Sequence, residues 1–164
     1  MKIIKTCYPE RQKLDKMETV FTNQDDERFL NLVEELDKGY YERIGEELSK
    51  YEKYNEFTKP HVVILALDLN KPIACASYRV CSEKNVEFKR VYVKKEYRKN
   101  GIAYKLIKQL ESNIDSSYKY SYIVTGKNNY PAIKLYEKLD YKEIPKFGQF
   151  KDDETVICMK KEFR

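Results

Sequence analysis

Apolar and polar residues change period several times along the chain, and each change marks a predicted element. Residues 2 to 6 (Lys-Ile-Ile-Lys-Thr) predict a short first strand, followed by a polar stretch to about Val20. Phe29, Leu32, Val33, Leu36 and Tyr40 then recur at helical spacing behind Asn23 and Asp25, either of which suits a helix cap. This helix is expected to stop near Gly39, with a second carrying Tyr41, Ile44, Leu48 and Tyr51 on one face.

From His61 the pattern is that of strands. The run His61 to Leu67 is almost continuously apolar, Asn70-Lys71-Pro72 turns the chain into Ile73 to Tyr78, and a second turn at Ser82 to Asn85 leads into Val86 to Val93. Three adjacent antiparallel strands follow from that order. A polar loop, Lys94 to Asn100, precedes a helix with Ala103, Leu106, Ile107, Leu110 and Ile114 on one face. Tyr118 to Thr125 predicts another strand, and Gly126 to Tyr130 a loop. Pro131 fits the first turn of a last helix ending at Asp140, because proline lacks an N–H that would be unpaired there anyway. Tyr141 to Ile144 and Glu154 to Met159 predict two closing strands around a loop with Pro145 and Gly148. The whole is a mixed α/β (α+β) order with a largely antiparallel sheet.

Composition narrows the class. A chain of 164 residues, 41% hydrophobic and 36% charged, is expected to form one globular domain over residues 1 to 164. With no window long enough to span a bilayer and no signal-peptide pattern, a cytoplasmic location without membrane association is expected. Cys7, Cys75, Cys81 and Cys158 are scattered and His61 is the only histidine, so no metal site and no disulfide framework is spelled out. The net charge of +5 includes a cluster at Lys84, Lys89, Arg90, Lys94, Lys95, Arg98 and Lys99, suited to a phosphorylated cofactor. No nucleic-acid-binding motif accompanies it, and a nucleic-acid partner is not expected.

The most informative stretch is a strand, a basic loop and a helix: Val91-Tyr92-Val93, then Arg98-Lys99-Asn100-Gly101-Ile102-Ala103. Helix N-termini carry unpaired N–H groups and partial positive charge, and a glycine lets a phosphate approach the backbone. Arg98 and Lys99 add charge, and Ala103 keeps the approach open. The string lacks the Gly-Lys-Ser/Thr ending of a nucleotide-triphosphate loop, and one glycine does not make a dinucleotide fingerprint.

The string resembles the Arg/Gln-x-x-Gly-x-Gly/Ala loop of the GNAT acetyltransferases. A second block, Asn129-Tyr130-Pro131-Ala132-Ile133-Lys134-Leu135-Tyr136-Glu137-Lys138-Leu139-Asp140-Tyr141, is similar to that family's Asn-x-x-Ala-x-x-Leu-Tyr-x-x-x-Gly-Phe/Tyr segment and lies in the matching order. Asp140 stands where the family usually has glycine. Asp tolerates the left-handed conformation better than most residues, so the turn is expected to survive. The resemblance covers about residues 60 to 160.

It implies the GNAT fold, about seven strands with a splayed central pair and about four helices, and acetyl-CoA as co-substrate. Pantetheine is then expected between the strand ending at Val93 and the one from Tyr120 to Thr125, pairing with backbone groups of Val91 and Val93. Arg98, Lys99, Asn100, Gly101, Ile102 and Ala103 would hold the pyrophosphate. Asn129 would help position cofactor or substrate. Tyr136 would protonate or hydrogen-bond the departing thiolate, unless it is only core packing. Glu87 is either the base for the acceptor amine or a partner in cross-strand ion pairs. Tyr78, Phe147 and Phe150 are candidate acceptor contacts. The implied reaction is direct transfer in a ternary complex to a primary amine of a small molecule, by a monomer or homodimer. A non-catalytic acyl-CoA-binding module and acetylation of a protein or peptide amine are the alternatives. A cationic acceptor would favour an acidic pocket, for which Asp25, Asp26, Glu27, Glu34 and Glu35 are available, unless they form only a solvated face.

Overall fold

The structure is a computed structural model that describes residues 16–163. The strand expected at residues 2 to 6 lies outside them. The first strand described, β1 (Met17–Asn23), falls where a polar stretch was expected to run to about Val20. Its side chains are half-buried or exposed and none is fully buried, as an edge strand pairing only with β2 (His61–Asp68) allows.

Helix α1 (Glu27–Ile44) is capped by neither Asn23 nor Asp25: the carboxylate of Asp26 accepts the Arg28 N–H at 2.9 Å. It buries Phe29, Leu32, Val33 and Leu36, and passes through Gly39. Gly45 ends it instead, at φ +60, a left-handed value that costs glycine nothing. The second helix is thereby corrected to a 3-10 segment from Gly45 to Tyr51 and a four-residue turn, α2 (Glu52–Asn55). Tyr41 and Ile44 belong to the last turn of α1.

Seven strands form one sheet in the order β1-β2-β3-β4-β5-β7-β6, with β3 (Lys71–Ser82), β4 (Asn85–Val93), β5 (Tyr120–Gly126), β6 (Lys142–Ile144) and β7 (Val156–Glu162). Every neighbouring pair is antiparallel except β4 with β5. That parallel pair needs a crossover, which α3 (Ile102–Asn113) provides. The last helix is α4 (Tyr130–Lys138), with Pro131 in its first turn, and Asp140 takes φ +69 just beyond it, as the turn requires.

The main core lies between the sheet and α3, whose Ile102, Leu106, Ile107 and Leu110 meet Ile64, Ile73, Val86 and Phe88. Full burial of each such side chain contributes about 1.5–3 kcal/mol, so this one helix face outweighs any surface ion pair. Phe29, Leu32 and Val33 of α1 form a second cluster with Val63, Leu65 and Cys75. The sheet is thus covered on both sides, and β4 is sandwiched.

Candidate active site

Two departures from regular pairing in β4 create the site. The β4–β5 ladder consists of three pairs, Asn85 with Tyr120, Val86 with Ser121 and Glu87 with Tyr122. Beyond Glu87 the strands diverge, so from Phe88 to Val93 the β4 edge facing β5 has no strand partner. On its other edge, the pairings step from Cys75–Tyr92 to Ser77–Lys89, and two residues of β4, Arg90 and Val91, oppose the single Ala76 of β3. Arg90 occupies the bulge at φ +56.

The bulge changes which side chains face which way. Val86 and Phe88 point into the α3 core, and after the extra residue so do Val91 and Val93. Tyr92 packs on the α1 side. Arg90 is also held on that side, its Nη1 2.7 Å from Asp37 of α1.

A cavity of about 570 Å³ extends into the divergence. Phe88 to Arg90 line it from β4, Val124 to Gly126 from β5, and Asn129 and Pro131 from the start of α4. Tyr40, Tyr51, Tyr54 and Phe150 close over it, with the Tyr54 and Phe150 rings edge to face at 4.7 Å. The 3-10 segment gives this wall its shape, and Asp153 secures it by accepting the Tyr51 hydroxyl at 2.5 Å. Burial pushes the Asp153 carboxyl up, but the hydrogen bonds from Thr155 and Tyr51 together bring it down to about 2.

Glu87 and Lys89 are both buried. Arg79, directly opposite Glu87 in the β3–β4 register, donates from Nε at 3.0 Å and Nη2 at 2.9 Å to one carboxylate oxygen. Burial raises the Glu87 carboxyl, against the pull of Lys89's charge, and burial lowers the Lys89 ammonium, against that of Glu87. Lys89 Nζ donates to the Tyr54 carbonyl at 2.6 Å and lies 3.3 Å from the Tyr54 ring centre. Lys89 faces the cavity. It stood in the basic cluster of the sequence but was not singled out as a site residue. The signal was present: a lysine on a strand alternating with valine and phenylalanine, then sealed in by elements outside that strand.

Tyr136 is buried at the edge of the main core, its ring 6.0 Å from that of Tyr141. Burial raises its hydroxyl, with a further push from Tyr40, so it stays protonated. Asn129 sits at the N-cap position of α4, and its side chain donates to Thr125 Oγ1 at 3.4 Å.

At the end of β4 the chain makes a short 3-10 turn, Lys95–Tyr97, and enters α3 through Gly101 at φ +72. Arg98 Nε donates to the Val93 carbonyl at 2.8 Å, folding the loop back on the strand end. Asn100 Nδ2 donates to the carbonyls of Tyr97 and Arg98. Among the described residues, the N–H groups from Lys99 to Tyr104 have no backbone acceptor, and no side chain caps α3. A Cβ on Gly101 would meet nothing within 4 Å. Unpaired donors around an open space, with Arg98 and Lys99 beside them, suit a pyrophosphate.

Of the predicted acceptor contacts, Phe150 lines the cavity. Phe147 is 40% exposed and packs on Tyr122, with ring centres 5.5 Å apart. Tyr78 does not line the cavity; it is buried against Phe88, its hydroxyl 3.5 Å from Asn113 Oδ1. The acidic residues at the start of α1 do not line it either. Asp26 holds Arg28, Glu34 pairs with Lys38, and Glu35 pairs with Lys94. Among the described residues no helix is long and apolar enough to cross a membrane.

A sheet parted at one parallel pair, with unpaired backbone donors at the start of the helix following the first strand of that pair, is the architecture expected of an acyl-CoA-dependent transferase. The acetyltransferase (GNAT) family model matches residues 29–141, and the chain belongs to that family of acyltransferases, which use acetyl-CoA. A candidate acyl-CoA N-acyltransferase from Klebsiella pneumoniae superposes with a TM-score of 0.74 at 19% identity, over 90% of this chain and 97% of that one. PaiA N-acetyltransferase from Thermoplasma acidophilum, solved in complex with coenzyme A, superposes with a TM-score of 0.66 at 17% identity, over 88% and 99%. At these identities the likeness establishes the fold. An N-alpha-acetyltransferase of Saccharolobus solfataricus is 35% identical over 72 residues, a stretch covering 42% of this chain and 43% of that protein. The matched stretch is less than half of that relative's length.

Proposed function

We propose that the protein transfers the acetyl group of acetyl-CoA to the primary amine of a small molecule, by direct attack within a ternary complex. The observation carrying this reading is the cavity of about 570 Å³ between the parted strands, closed over by Tyr51, Tyr54 and Phe150. Its size suits a small ligand, and its aromatic wall suits the apolar part of an acceptor.

Acetyl-CoA supplies an acetyl group on a thioester. The N–H groups from Lys99 to Tyr104, with Arg98, Lys99, Asn100, Gly101, Ile102 and Ala103 shaping the loop, hold its pyrophosphate. The free edge of β4 at Val91 and Val93 offers backbone groups to the pantetheine amides, and Asn129 borders the same space from α4. The amine must lose a proton as its bond to the acetyl carbon forms and the carbon–sulfur bond breaks. Glu87 accepts that proton through water, its lifted carboxyl being better matched to a base near neutral pH than an ordinary carboxylate. Tyr136, kept protonated by burial, donates to the departing sulfur.

A second reading rests on the local match to an N-alpha-acetyltransferase: the amine is then the N-terminus of a peptide entering past Tyr51 and Phe150.

The test is the melting temperature with excess acetyl-CoA or CoA, followed by thiol release with a panel of amines and peptides. Ligand at about 100 times its Kd adds roughly 2.7 kcal/mol, a shift Gly101→Glu should abolish. Absence of a shift with either ligand would remove the co-substrate assignment. A shift without thiol release from any amine would leave a binding module and reject the transferase.

A further inference from the structure

The charges around the cavity do not balance. Among the described residues, Lys89 is sealed within it, and Arg43 and Lys127 stand at its rim, against one lining carboxylate, the exposed Glu47. The acidic groups nearby are already engaged. Glu87 is gripped by Arg79, Asp37 by Arg90, and Asp153 by Tyr51 and Thr155. Among the described residues no carboxylate oxygen lies within ion-pair distance of Lys89, whose hydrogen bond to the Tyr54 carbonyl uses one of three donors. A buried cation with spare donors, and with the Glu87 carboxylate acting on it only from beyond ion-pair distance, is costly unless a ligand supplies an anion at closer range. The rest of the wall, Tyr40, Tyr51, Tyr54 and Phe150, is aromatic and suits an apolar frame.

We propose that the acceptor is a small primary amine that also bears a carboxylate on an apolar frame, and that Lys89 binds this carboxylate. The inference rests on the acetyltransferase reading and specifies its substrate class. It disfavours polyamines, for which the described residues lining the cavity offer no buried free carboxylate. It gives Lys89 a binding role distinct from the chemistry assigned to Glu87 and Tyr136. The anion alternatively belongs to the co-substrate's phosphates, and the two sources separate by which KM responds.

The experiment compares kcat/KM for matched pairs with and without the carboxylate, L-phenylalanine against 2-phenylethylamine and L-leucine against 3-methylbutylamine, with spermidine as the cationic comparator. Rates are expressed per neutral amine, to remove the difference in amine basicity. The carboxylate-bearing member of each pair is expected to be favoured at least tenfold, and spermidine to be the poorest. Lys89→Met should erase the preference by raising the acceptor KM while the acetyl-CoA KM holds, and Lys89→Arg should restore part of it. If Lys89→Met does not fold, the pairwise preference of the unaltered enzyme decides alone. Equal use of both members, a preference for the plain amines or spermidine, or turnover of peptides only would overturn the proposal. So would a rise confined to the acetyl-CoA KM. Loss of the acetyl-CoA melting shift in the unaltered protein would instead defeat the underlying transferase assignment.

Discussion

Arg79 and Glu87 are direct cross-strand partners, and both guanidinium donors converge on the same carboxylate oxygen. The cross-strand ion pair of Glu87 is made with the arginine opposite it and, among the described residues, with no lysine. The second oxygen is left for other work. Glu87→Gln is expected to lower kcat about 100-fold, the smaller end of general-base effects, while keeping the acetyl-CoA melting shift. Glu87→Ala is expected to cost about 3–5 kcal/mol, because it leaves Arg79 without its ion-pair partner. Steady-state kinetics and denaturant melts of the two variants separate the roles. An unchanged kcat in Glu87→Gln would make the residue purely an ion-pair partner.

The hydroxyl of Tyr136 makes no hydrogen bond to another protein group among the described residues, although its ring is buried. Removing it should therefore cost stability little and chemistry more. Tyr136→Phe is expected to melt within a few degrees of the unaltered protein, with kcat down roughly 10- to 100-fold and the acetyl-CoA KM little changed. A normal kcat would return Tyr136 to core packing alone.

Gly101 has a constrained backbone and open surroundings, which gives two substitutions different outcomes. Gly101→Ala meets no atom but must adopt φ +72, at a cost of about 1–2 kcal/mol, and should still bind CoA weakly. Gly101→Glu adds a carboxylate at the proposed pyrophosphate site and should abolish binding. Calorimetric titration of CoA into both variants is the check. Equal affinities would place the pyrophosphate elsewhere.

His61 supplies a pH signature of folding. Burial, followed by the charges of Lys89, Arg79 and Arg90, brings its imidazole down to about 4. Its Nδ1 lies 3.2 Å from Ser77 Oγ, and its buried Nε2 has no partner. Between the unfolded value near 6.5 and the folded value, only the unfolded chain takes up a proton. The contribution is therefore complete above about pH 6.5 and is lost as pH falls toward 4. The melting temperature should decline over that window, and His61→Gln should flatten the decline. Parallel curves for the two proteins would refute the assignment.

The strands and helices with strong periodicity were legible in the sequence: His61 to Val93 as three antiparallel strands, α3 from its apolar face, and α4 from Pro131. β1 was not, because Met17 to Asn23 interleaves charged and polar residues as an edge strand permits. Gly39 looked like a stop signal, yet tertiary packing of α1 overrides the small helical cost of one glycine. The divergence of β4 and β5 was expected from the family resemblance, not from periodicity. The bulge was illegible, since arginine rather than glycine adopts the left-handed conformation at residue 90. The burial of Lys89 is not legible in its own strand, because the elements that seal it in, α2 and the segment before it, lie far away in sequence.

Three residue pairs are all that stitch β1 through β4 to β5 through β7 along the ladder. The sheet is thus two rafts sharing a short seam, with unzipped selvedges from Phe88 and Ile123 onward. A ligand threaded along those selvedges would act as an extra rung, so occupancy and stiffness would rise and fall together through each turnover. Amide hydrogen exchange should register that breathing on both rafts at once, although the ligand touches only their facing borders.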